Sequence, residues 1–170
     1  MKNIKQNASN NLIFIPITVL ILSILLELSL SKIVFFYETP PSLFLIFTYL
    51  ILFVFNVNLP VFVTFLICLT YDLLFGINPG FFAASILISS LMLHNFNLNY
   101  LNNSFFNISV FFIIFFSIVN IIQILFFIIL YFNFPNLEKI IFQLGLSLLF
   151  FPLIFLLLRN GMNFFNLKLH

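Results

Sequence analysis

The sequence predicts an all-α integral membrane protein, a bundle of about six transmembrane helices with no soluble domain. Of its 170 residues, 64% are hydrophobic and only 6% are charged, and the mean hydropathy is +1.27. Soluble domains carry about 25% charged residues, so this chain lacks the polar surface that water requires. Its apolar residues fall in runs separated by clusters of Asn, Pro and Gly, and a spanning helix needs about 20 mostly apolar residues. The length accommodates about six such runs with short links, so residues 1–170 read as a single polytopic membrane domain.

Helix one is expected over residues 12–30, with Pro16 near its start, where a missing N–H costs least. Lys2 and Lys5 precede it, as in a signal peptide. The apolar run is longer than a leader core, however, and ends in Glu27-Leu28-Ser29 without a small-residue cleavage site, so it reads as an uncleaved anchor. A polar break over 31–41 holds Lys32, Glu38 and the Pro40-Pro41 pair. Helix two follows over 42–55, then the turn Asn56-Val57-Asn58-Leu59-Pro60, in which Asn suits the turn and Pro60 opens the next helix. Helix three covers 60–75. Gly76-Ile77-Asn78-Pro79-Gly80 is the strongest turn signal in the chain. Helix four is expected over 81–94, an Asn-rich link over 95–104 and helix five over 106–131. After a break at 132–138 containing Pro135, helix six covers 139–158, kinked at Pro152 and stopped by Asn160-Gly161.

With both termini cytoplasmic, Lys2, Lys5, Arg159 and Lys168 lie inside while Lys32 and Lys139 lie outside, the bias that the positive-inside rule favours. This places Glu27, Asp72 and the Gly76–Gly80 turn near the outer face. Trp is absent, and Tyr37, Tyr49, Tyr71, Tyr100 and Tyr131, mostly near helix ends, are candidate interface anchors in its place. Cys68 has no partner for a disulfide and reads as a small hydrophobe. The excess of Phe, Ile, Leu and Asn matches AT-rich codons and carries compositional weight only. The sequons at Asn7, Asn102 and Asn107 follow from the same Asn content.

Asp72 is the acid within the central helices. Insertion of a carboxylate at a membrane helix centre costs about 2.5–3.5 kcal/mol, and the C-terminal end of a helix is unfavourable for an anion. A compensating partner is therefore expected, and the nearest candidates are the free N–H groups opening helix four at Gly80, Phe81 and Phe82. A protein contact and a proton or ion site are the other readings of Asp72. Thr64, Cys68, Asp72 and Gly76 recur every four residues on one face of helix three. Gly80, Ala83, Ala84, Ser85 and Ser89 supply small residues on helix four, so the two form a closely packed hairpin. Glu27, as a membrane carboxylate, is a candidate functional group, and its plainer reading is that it reaches the interface or pairs with Lys32. Asn120 and Gln123 read as interior groups meeting Gln143 and Ser147, and His94 as an interface residue. No metal-ligand cluster, phosphate loop or catalytic constellation is legible, so neither a cofactor nor an enzyme activity is expected. A small membrane enzyme acting on lipids would need a cluster of acids or a His–acid pair.

The order of features in the centre is Pro41, an apolar helix with Tyr49, a short turn ending in Pro60, then Tyr71-Asp72-Leu73-Leu74-Phe75-Gly76-Ile77-Asn78-Pro79-Gly80. It resembles the rod shape-determining protein MreD family of bacteria, whose recurring pattern is a helix ending in an aspartate, two apolar residues, a glycine and a short turn with proline and glycine. The resemblance covers about residues 41–94. Leu59 stands where the family often has a basic residue, Leu69 and Thr70 where it has a glycine, and Asn78-Pro79-Gly80 shifts its turn by one residue. The resemblance implies a non-enzymatic scaffold of the inner membrane that helps organise lateral peptidoglycan synthesis and cell shape. It also implies partners: MreC-like and MreB-like shape proteins and the wall-synthesis enzymes, a glycosyltransferase and a transpeptidase. Asp72, Gly76, Pro79 and Gly80 would then shape the central hairpin. The family's relation in fold to the substrate-binding subunits of energy-coupling-factor vitamin transporters supplies an alternative. That alternative requires a pocket near the outer face around Glu27, Asp72 and Asn120.

Overall fold

The computed structural model describes residues 2–33, 39–55, 57, 59–94, 105–132 and 135–164, and every regular element among them is helical. Helix α1 is Lys2–Ser31, α2 is Leu43–Tyr49, α3 is Val61–Leu74, α4 is Phe81–His94, α5 is Phe105–Tyr131 and α6 is Leu137–Phe164. Helix α2 continues into a π-helical turn, Leu50–Val54, where the Phe55 N–H donates five residues back to the Leu50 carbonyl at 2.9 Å. Glu38, Tyr37, Asn56, Asn58, Tyr100, Asn102 and Lys168 lie outside the described residues, as does the whole of the Asn-rich link over 95–104.

Hydropathy marks where a helix is apolar, and helix ends need not coincide with that change. Helix α1 begins at Lys2 instead of residue 12, which puts Pro16 in its interior. Pro16 therefore leaves the carbonyl four residues before it without its helical donor. Helix α6 begins at Leu137 and continues through Asn160 and Gly161 to Phe164, so the expected stop does not operate.

Three segments are long and apolar enough to cross a membrane: Phe14–Ser31, Phe105–Tyr131 and Leu137–Gly161. The other three, Leu43–Val54, Val61–Leu74 and Phe81–Leu93, are apolar but shorter. At about 1.5 Å per residue, the 14 residues of α3 cover about 21 Å. The hydrocarbon core of a bilayer is about 30 Å thick. Three of the six expected segments thus have spanning length and three do not.

Helix α2 sits at the centre and packs on α1, α5 and α6. Leu43, Phe44, Leu45, Ile46, Tyr49 and Leu50 are all buried and Phe47 is partly so, which leaves this segment little surface. The outer helices are two-sided. Phe112, Phe115, Phe116 and Val119 form the buried stripe of α5, whereas Phe106, Ile121 and Ile129 are exposed at 74%, 56% and 66%. Large apolar side chains at that exposure would be a liability in water and suit contact with lipid.

Tyr49 joins these helices. Its ring packs against Phe53, Phe112, Phe115 and Phe151, and its hydroxyl donates to the Ile108 carbonyl at 2.8 Å. It is 1% exposed, so it is a core residue and not the interface anchor expected from its sequence position. The neighbouring Thr48 Oγ1 is the buried side-chain polar atom among the described residues that lacks a hydrogen-bond partner. Opposite effects are expected from the two. Tyr49→Phe removes a made bond and should lower stability by about 1 kcal/mol. Thr48→Val removes an unpaired hydroxyl while keeping shape, and should raise it. Melting temperatures in mild detergent, followed by circular dichroism, would show whether the signs differ.

Candidate functional site

At one end of the bundle, two buried carboxylates close the N-termini of two helices. The first N–H groups of any α-helix have no partner within it, and an apolar interior offers no water to replace one. Asp72, 0% exposed, supplies that partner for α4. Its Oδ2 accepts from Gly80 N–H at 2.8 Å and Ala83 N–H at 3.4 Å, and its Oδ1 from Phe82 N–H at 3.2 Å. Two of the three expected donors, Gly80 and Phe82, are therefore used. Phe81 is not, because its N–H turns back to the Asn78 carbonyl at 3.1 Å, and Ala83 takes its place.

The turn that makes this possible is built by its glycines. Phe75 N–H makes the last ordinary helical bond, to the Tyr71 carbonyl, and Ile77 N–H donates to the Asp72 carbonyl, the six-to-one closure that ends a helix through a left-handed residue. Gly76 is that residue, at φ +65°, and Gly80 follows at φ +95°. Neither is crowded, so the demand for glycine there is conformational and not steric. Pro79 lies between them in the turn, and Pro60 stands as the residue before α3, accepting from Thr64 N–H at 3.1 Å. Asn78 reaches from this turn to the Tyr131 hydroxyl at the end of α5. On the helix faces, Thr64, Cys68 and Asp72 of α3 and Ala83, Ser85 and Ser89 of α4 are buried, while Gly76 is exposed in the turn.

Glu27 does not pair with Lys32 and does not reach a surface. It is 1% exposed, while Lys32 is exposed beyond the helix end. Glu27 Oε2 accepts from the Phe44 N–H at 2.8 Å, and its Oε1 accepts from the Tyr71 hydroxyl at 2.7 Å. The start of α2 is thus closed from α1. It is closed again from α6, where Ser147 Oγ accepts from Ser42 N–H at 2.9 Å and donates to the Gln143 carbonyl at 2.7 Å. Tyr71, adjacent to Asp72 in the chain, connects the two capped helices. Its ring stacks on Phe44, Phe75 and Phe82 at centroid distances of 5.0, 4.4 and 4.3 Å. Tyr71 is consequently a core residue and not an interface anchor, whereas Tyr131, 47% exposed, stays at the periphery.

This network positions helices. Each carboxylate oxygen is already engaged by an internal donor, and no group of His, Cys, Asp or Glu among the described residues could hold a metal ion. Cys68 is buried.

The expected polar meeting of α5 and α6 is rearranged. Ser147 turns to α2 as described, and the Asn120 side-chain N–H donates to its own helix, at the Phe116 carbonyl, 2.8 Å away. Asn120, Gln123 and Gln143 instead share a cleft of about 240 Å³ that reaches up to Ile77 and Phe81 in the hairpin. Glu27 and Asp72 do not line it. Helix α4 ends at His94, whose side chain lies outside the described residues.

Comparison with family models, curated proteins and solved structures finds no match to this chain.

An amide presents one oxygen where the carboxylate presents two. Asp72→Asn is therefore expected to cost about 1–2 kcal/mol of stability, read as a lower melting temperature in detergent. Unchanged stability together with unchanged cellular function would mean that Asp72 is neither cap nor contact. For the second carboxylate, Glu27→Gln, Tyr71→Phe and the double variant form a cycle. A coupling of about 0.5–1.5 kcal/mol is expected, whereas strictly additive losses would show that Glu27 and Tyr71 do not act as a pair.

Proposed function

We propose that this chain is a non-enzymatic, multi-pass scaffold of the bacterial inner membrane, a component of the rod-shape complex of the MreD type that helps organise lateral peptidoglycan synthesis. In this reading all six helical segments lie in the membrane, the three short ones packed among the three long ones. Both termini are cytoplasmic, which puts the carboxylate-capped end at the outer face. The observation that carries the proposal is the α3–α4 hairpin. The segment Tyr71–Gly80, on which the resemblance rests, is the segment in which Asp72 closes α4 and Gly76 and Gly80 take left-handed backbone. A capped, closely packed hairpin is a rigid surface on which partner helices can assemble, and no covalent step is required of it.

The alternative, a substrate-binding subunit of an energy-coupling-factor transporter, draws some support from the cleft at Asn120. It fits less well, because Glu27 and Asp72 are consumed by internal hydrogen bonds and stand away from that cleft.

Purification of the tagged protein from its host in mild detergent should bring down MreC-like and MreB-like shape proteins or wall-synthesis enzymes. Recovery of ATP-hydrolysing transporter subunits in their place would favour the alternative. The orientation has its own test. With Cys68 replaced by Ala, Asn78→Cys should react with a membrane-impermeant thiol reagent from the outside. Reaction only from the cytoplasmic side would reverse the topology.

A further inference from the structure

The cleft between α5 and the first turns of α6 is where this fold leaves polar side chains uncommitted. Asn120 and Gln123 lie one turn apart on α5, and Gln143 faces them from α6. Asn120 is 9% exposed, and its side-chain N–H is held by the Phe116 carbonyl. No hydrogen bond among the described residues uses its Oδ1 or either glutamine amide. Those groups are therefore open to the cleft. Phe81, Phe127 and Ile140 contribute apolar walls, and no charged side chain among the described residues lines it.

The donor and acceptor set selects the occupant. A carboxamide both donates and accepts and carries no charge, so three of them complement a neutral group that does the same. A charged group would lose its hydration among these walls with no counter-ion to replace it. A polar group left unpaired at membrane depth costs free energy, so the open amides favour any occupant able to pair with them. The volume, about 240 Å³, falls below the roughly 300–1,000 Å³ of pockets for drug-sized ligands. It suits a small head, with the remaining part of the molecule lying along apolar surface.

We propose that this cleft binds an uncharged amphiphile, seating a small hydroxyl- or amide-bearing head on Asn120, Gln123 and Gln143 and its apolar part against Phe81, Phe127 and Ile140. The site is independent of the scaffold reading and stands or falls by its own experiment.

The test uses the full chain in nanodiscs of phosphatidylglycerol, with 1-monooctanoylglycerol as the probe and equilibrium binding followed by native mass spectrometry of the complex. One saturable site is expected. Gln123→Leu combined with Gln143→Leu should weaken it by about tenfold or more, while circular dichroism shows the same helicity. Leu is favourable in a membrane helix, and Gln143→Leu alone serves if the double variant fails to assemble. Competition with free glycerol separates the possible sources. Displacement means that the head suffices and a water-soluble molecule can fill the site, and no displacement assigns it to amphiphiles of the bilayer. Absence of saturable binding, equal binding of lysophosphatidylglycerol by the native chain, or undiminished affinity in the glutamine variants would each overturn the proposal.

Discussion

The arrangement depends on one constraint: a helix that begins inside an apolar bundle must find partners for its first N–H groups in some other part of the chain. Water does this for a soluble protein. Here Asp72, from the end of α3, does it for α4, and Glu27 from α1 together with Ser147 from α6 does it for α2. A cap of this kind is also a tertiary contact. It fixes where one helix ends relative to where another begins, so satisfying the backbone and positioning the helices are the same event. Charge-assisted hydrogen bonds to a carboxylate contribute about 1.5–3 kcal/mol each, enough to offset much of what its burial costs.

The second level is aromatic. Tyr71 and Tyr49 each pair a ring packed among phenylalanines with a hydroxyl that finds an acceptor, Glu27 in one case and the Ile108 carbonyl in the other. The ring supplies area, and the hydroxyl selects one orientation of that area. In a chain with 29 phenylalanines, apolar contact alone would be permissive, since many packings of similar rings have similar energies. The few polar tethers distinguish one packing from the rest.

How much of this the sequence disclosed depended on how far apart the partners lie. The Asp72 cap was legible because a tight turn with two glycines brings the start of α4 back within eight residues, and only Phe81, diverted to Asn78, was assigned in error. The Glu27 contacts were not legible. Their donors, Phe44 and Tyr71, lie 17 and 44 residues away, and an acid near a helix end looks the same whether it turns outward to a lysine or inward to a backbone amide. Tyr49 and Tyr71 were misplaced for a related reason, since proximity to a helix end was read as proximity to the membrane interface. Helix ends at Lys2 and Phe164 were missed because hydropathy falls before the backbone changes. The π-helical turn at Leu50–Val54 has no apolar period that would announce it. The amides of Asn120, Gln123 and Gln143 could be placed in the interior, but no pattern of residues reveals that they border an opening.

The shortness of α3 and α4 has a consequence for the surroundings of the protein. Helix α2 is short but largely buried, so its length would matter little to a surrounding bilayer. Helices α3 and α4 are different, since Val61, Phe62, Leu66, Leu73, Ile88 and Leu91 face outward. In a bilayer, an apolar surface about 21 Å tall meets acyl chains that prefer about 30 Å, and each ångström of mismatch costs a fraction of a kcal/mol. With the hairpin standing upright in a bilayer, the lipid annulus on that flank would be pinched while the flank formed by α5 and α6 would leave it relaxed. In the membrane arrangement proposed above, the protein would impose an asymmetric thickness on the bilayer around it, and a neighbour whose own span is short would gain by settling on the hairpin side.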